Sequence, residues 1–165
     1  MLVLGVDPGT AITGYGLVAE TDGQLQAVAY GAIITPADWP LPQRLQKIYH
    51  DLTALICERH PTVGAVEQLF FSRNVKTALA VGQARGVTLL ALADGGVPIH
   101  EYTPLQVKQS VVGYGRAEKR QIQELVRLLL GLDAVPQPYD AADALAVAIC
   151  HVHSARMASL MSQTL

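Results

Sequence analysis

An α/β fold, a mixed five-stranded sheet flanked by helices, is what this sequence of 165 residues predicts, on three observations. Residues 1–9 carry Leu2, Val3, Leu4 and Val6, then Asp7, Pro8 and Gly9. That apolar run with a Pro-Gly stop marks a strand buried on both faces. Residues 10–19 and 25–34 alternate around a turn at Gly23, so the first three strands form a meander. Beyond them, helical and strand periodicities take turns, and strand–helix–strand order implies crossovers back onto one sheet.

Each later element has its own signal. Pro36, Pro40 and Pro42 mark a loop, and Leu41, Leu45, Ile48, Leu52, Leu55 and Ile56 then recur at helical spacing to about Arg59. Pro61 ends that helix. Residues 63–70 read as a fourth buried strand that carries Glu67. Residues 74–94 form a helix apolar nearly all round, with Gly82 and Gly86 four apart. Such a helix is normally buried all round. Either one face covers the sheet and the other meets a second copy of the chain, or the helix is central to one domain. Gly95 and Gly96 end it, and residues 97–102 are a short fifth strand. Thr103 followed by Pro104 starts a helix to about Val112, as a cap and a first-turn proline. Ile122, Leu125, Val126 and Leu129 define the next helix, stopped at Gly131. The last runs from Tyr139 or Asp140 to about Ser159, and the whole reads as one domain spanning 1–165, of which roughly the final ten residues overlap the helix end as a flexible tail.

Composition narrows the class. Half the residues are hydrophobic, which excludes a disordered chain. No apolar run reads as long and uncharged enough to cross a bilayer, and the N-terminus lacks a basic n-region and cleavage site. Cys57 and Cys150 lie far apart and match no metal spacing, so both read as buried free thiols in a reducing, cytoplasmic setting. The net charge of −2 hides a split. From Arg73 to Arg127 the chain has eight basic residues against four acidic, and elsewhere four basic against ten acidic. A basic face beside an acidic site is the expectation.

The acids that matter sit on apolar elements. Asp7 ends one strand, Glu67 interrupts another, and Asp140 and Asp143 share one face of a helix's first turn. Taken singly, each has a plain structural role: a turn residue, a strand-end salt bridge, an N-cap, a helix-dipole partner. Together they are four anions that cannot all ionise without cations. All-oxygen ligation favours Mg²⁺ or Mn²⁺ over zinc, and two such ions suit phosphoryl transfer.

The ordered set of motifs resembles the crossover junction endodeoxyribonuclease RuvC family, the Holliday junction resolvases. The matching stretches are residues 5–10 with 13–16, 66–70, 82–86, 106–109, 111–119 and 140–146, spread over about residues 2–153. The resemblance implies a ribonuclease-H-like fold, a homodimer and paired Mg²⁺-dependent nicks on strands of like polarity in a four-way DNA junction. It also implies 5′-phosphate and 3′-hydroxyl ends and work alongside the RuvA–RuvB branch-migration complex. Catalytic and metal-binding carboxylates fall on Asp7, Glu67, Asp140 and Asp143; some members have His where this chain has Asp140.

The remaining residues fit a DNA partner. Phe70 and Phe71 follow Glu67 closely, and Phe70 matches the family's wedge-like aromatic, suited to stacking on unpaired bases. Arg73, Asn74 and Lys76 lie just beyond. Arg116, Lys119 and Arg120 crowd a helix start, where a bound phosphate would offset their opposition to the helix dipole. Lys108 and Lys119 match basic positions that the family uses near its substrate. The candidate DNA contacts are thus Phe70, Arg73, Asn74, Lys76, Lys108, Arg116 and Lys119. His151 and His153 read as packing or surface residues, His151 close enough in sequence to support the acids. Residues 5–10 also resemble the phosphate loop of actin-like ATPases and sugar kinases, but those need two related domains and a second loop.

Overall fold

A computed structural model describes residues 1–68 and 75–162, and the side chains of all of these but 75–77. The strands are β1 (Leu2–Asp7), β2 (Ile12–Thr21), β3 (Gln24–Ile34), β4 (Val63–Glu67) and β5 (Ile99–Tyr102). The helices are α1 (Leu41–Arg59), α2 (Val75–Asp94), α3 (Pro104–Val112), α4 (Lys119–Leu129) and α5 (Tyr139–Ser162). The sheet order is β3-β2-β1-β4-β5. β1, β2 and β3 pair antiparallel, while β1, β4 and β5 run parallel. The mixed five-stranded sheet matches the expectation.

Strand alternation divides the core between two faces. Val3, Val18 and Ala65 point to the side covered by α3, α4 and α5. Leu4, Val6, Leu17 and Val66 point to the side covered by α1 and α2. On α1, Ile48, Leu52 and Ile56 recur every four residues and are the buried stripe. His60 in the left-handed region then closes α1 ahead of Pro61. At α3, the Gln106 backbone N–H donates to the Thr103 hydroxyl at 3.2 Å, and the Thr103 N–H donates to the Gln106 side chain at 2.8 Å. That is a reciprocal capping box, so Thr103 does more than cap one donor.

Of the two arrangements open to α2, burial all round within one domain does not hold: Ala84, Thr88, Ala91 and Leu92 are buried, but Leu79 and Leu90 are 64% and 53% exposed. Two expectations are corrected. Cys57 is exposed on α1, and only Cys150 is buried. The helix surrounded by its own chain is α5, buried almost without a break from Ala141 to Val152. By length and composition α5 also meets the test for a bilayer-crossing helix, contrary to the reading above. Its apolar surface is spent on the sheet, α3 and α4 instead. Small side chains make this seat possible. A Cβ on Gly5 would fall 2.1 Å from the Ala144 carbonyl oxygen, and one on Gly14 would fall 2.0 Å from that of Asp140. Bare backbone at both positions lets α5 lie directly on β1 and β2.

Candidate active site

The site forms where strand ends meet a helix start. Val6 pairs with Val66 across parallel β1 and β4, and the next residue on each strand is an acid, Asp7 and Glu67. By alternation both follow Val3, Gly5 and Ala65 onto the α5 face. The glycine seat holds the first turn of α5 over that point, which brings in Asp140 and Asp143. Asp140 lies within the first turn, after Tyr139, and so is not the N-cap.

A cleft of about 320 Å³ opens here, lined by Asp7, Glu67, Asp143, Lys108 and Lys119. Asp140 does not line it, although its charge acts on Asp7 and Asp143. The electrostatics are those of crowded acids. Burial, then the charges of Glu67, Asp143 and Asp140, pushes the Asp7 carboxyl from 3.8 up to about 7. Burial raises Glu67 and Asp143 as well, Glu67 further through Asp143. Lys119 opposes all of this. Its Nζ lies 2.6 Å from Asp143 Oδ2, and its charge lowers Asp7 and Glu67 too. Lys108 adds a smaller pull on Glu67.

The other expected residues divide clearly. Arg116 is exposed in the connector between α3 and α4, away from the cleft lining. Phe70, Phe71, Arg73 and Asn74 lie outside the described residues, as does the side chain of Lys76. His151 is 6% exposed, with Nδ1 2.8 Å from the Tyr102 hydroxyl and its ring against His100. It packs the far part of α5 and supports no carboxylate directly. The Lys119–Asp143 pair was not anticipated from sequence. The only signal was the unusual cluster of bases at the start of α4, read there as phosphate-facing.

Paired acids at adjacent parallel strand ends, faced by acids on a helix laid across a β3-β2-β1-β4-β5 sheet, define a nuclease of ribonuclease-H-like fold. The crossover junction endodeoxyribonuclease RuvC family profile matches residues 3–151, and the chain belongs to that family. A crossover junction endodeoxyribonuclease RuvC from Desulfitobacterium hafniense strain DCB-2 is 57% identical over 165 residues, covering 100% of both chains. Another, from Heliobacterium modesticaldum, is 61% identical over 154 residues, covering 93% of this chain and 95% of its own. Among solved structures, Thermus thermophilus RuvC in complex with Holliday junction substrate superposes with a TM-score of 0.91 at 36% identity, covering 96% of each chain. The family is one of metal-dependent nucleases.

Proposed function

We propose that this chain, as a single nuclease domain over 1–165, resolves four-way DNA junctions as a homodimer in the cytoplasm. Each subunit nicks one of two strands of like polarity and leaves a 5′-phosphate and a 3′-hydroxyl. One observation carries the reading: Asp7 and Glu67 end adjacent parallel strands and share one cleft with Asp143 of α5. The likeness to a relative solved with a Holliday junction supports junction DNA as substrate.

Asp7, Glu67, Asp140 and Asp143 would hold two Mg²⁺ per subunit, with Mn²⁺ able to substitute. The donors are all carboxylate oxygens, which suit hard dications. Burial and the neighbouring acids raise the Asp7 carboxyl, so positive charge brought beside it would favour its ionised form. Bound ions would stabilise charge on the scissile phosphate and activate water for attack on phosphorus.

The chain's own part is placement. Backbone pairing fixes Asp7 and Glu67 before substrate arrives, so their oxygens need little reorganisation during reaction. Lys108 on α3 and Lys119 on α4 form the opposite wall and present positive charge to phosphate oxygens. Water adds across the P–O3′ bond, so the phosphate stays on the 5′ end and the proton leaves with the 3′ oxygen. Phe70, Arg73, Asn74, Lys76 and Arg116 complete the proposed DNA surface. The partly bare face of α2 is the proposed dimer contact, and RuvA–RuvB the proposed branch-migration partner.

The test is a mobile synthetic four-way junction with nicks mapped on every strand. Paired symmetric nicks are expected with Mg²⁺ or Mn²⁺ and none with chelator. Asp7→Asn should bind the junction yet cut it at least about a hundredfold more slowly. Metal-independent cutting, or full activity in that variant, would refute the assignment.

A further inference from the structure

The acid cluster already contains a cation, and it comes from the chain itself. Lys119 opens α4 and reaches Asp143 on α5 at 2.6 Å, while its charge also acts on Asp7 and Asp140. The two partners differ in their surroundings. The Lys119 side chain is 63% exposed, that of Asp143 only 24%. A long, flexible ammonium has solvent to withdraw into, and a carboxylate fixed on a packed helix does not. Among the described residues, no three His, Cys, Asp or Glu side chains converge as ligands of one ion in this arrangement. In this arrangement the ammonium holds Asp143 directly and acts on Asp7 and Asp140 through its charge.

Resting on the two-ion reading above, we infer that Lys119 is a tethered counter-ion: it neutralises the carboxylates when divalent metal is absent and is displaced when metal enters. Metal and ammonium then compete for the same carboxylates, and each weakens the other's hold. The displaced ammonium stays on the cleft wall, free to meet a substrate phosphate. One side chain would thus tie metal entry to DNA engagement.

Competition makes a prediction opposite to that of a helper residue. Lys119 should weaken metal binding by the free enzyme, and its removal should strengthen it. The experiment is calorimetric titration of the full chain with Mn²⁺ alone, without DNA, alongside thermal unfolding with and without the ion. Lys119→Met should bind Mn²⁺ at least about fivefold more tightly than the unaltered chain. It should melt lower without metal, and gain more on adding it. Lys119→Arg keeps a cation in place and should show no such gain. Lys108→Met removes a charge from the same cleft but breaks no ion pair among the described residues, so its gain should be smaller. Unchanged or weaker Mn²⁺ binding in Lys119→Met would overturn the inference, as would an equal gain in Lys108→Met. Absence of Mn²⁺ binding in every protein would overturn the two-ion site along with it, so the two failures read differently.

Discussion

Asp7 closes β1 beside Glu67 at the end of β4, one residue beyond the paired Val6 and Val66. Two carboxylates set side by side by a backbone ladder cannot move apart to relieve their repulsion. The cost appears in their proton affinities, and it makes the site's chemistry measurable without substrate.

Stability should therefore depend on pH through Asp7. Its carboxyl titrates near 7 in the fold against a reference value of 3.8. Between those values the native chain keeps a proton that the unfolded chain has lost, so stability falls as pH rises. The loss from this group is at most about 4 kcal/mol. In chelator, Asp7→Asn should be more stable than the unaltered chain near neutral pH, and the difference should shrink toward about pH 4. Urea midpoints across that range check it; a difference independent of pH would assign the titration elsewhere.

The seat of α5 gives a second expectation. Gly5→Ala would press a methyl into the Ala144 carbonyl, so α5 must lift from the sheet. Overpacking of this kind costs about 1–3 kcal/mol or more. It would also carry Asp143 away from Asp7. Unfolding should begin at lower temperature, and cleavage should fail even where circular dichroism shows the variant folded. A folded Gly5→Ala that cuts normally would show that the helix has room to spare.

The uncovered side of α2 gives a third. Leu79 and Leu90 are more than half exposed on a helix with few polar residues. Solitary exposed leucines are ordinary, but an apolar face along one helix is the kind of surface that pairs with a copy of itself. Analytical ultracentrifugation should show a dimer at micromolar concentration, and Leu79→Glu combined with Leu90→Glu should yield a folded monomer. A monomeric unaltered chain would place the subunit contact elsewhere.

Phe70 supplies the fourth. It stands three residues after Glu67, the last residue of β4. If it stacks on unpaired bases at the crossover, Phe70→Ala should lose cleavage far more than junction affinity. Stacking contributes about 1–3 kcal/mol per base. Gel-shift titration beside single-turnover cleavage separates the two, and unchanged cleavage would assign Phe70 to packing.

Most elements were legible because their signals are local. Helix α1 was read from apolar spacing and Pro61, and α3 from the Thr103-Pro104 start. The meander followed from alternation around Gly23. All four acids could be picked out for a similar reason: a charge on an otherwise apolar element is conspicuous in one dimension.

What the sequence determined alone was therefore the order of elements, their capping and the presence of acids at strand and helix ends, because backbone preference and periodicity act over a few residues. Only the tertiary structure decided which helix the core encloses. α2 reads as apolar nearly all round, yet it is α5 that two bare glycines on β1 and β2 seat against the sheet, while α2, on the other face, keeps Leu79 and Leu90 exposed. It likewise decided that Lys119 meets Asp143 across 24 positions of chain. Contacts of that range depend on how whole elements pack, and no local pattern encodes them.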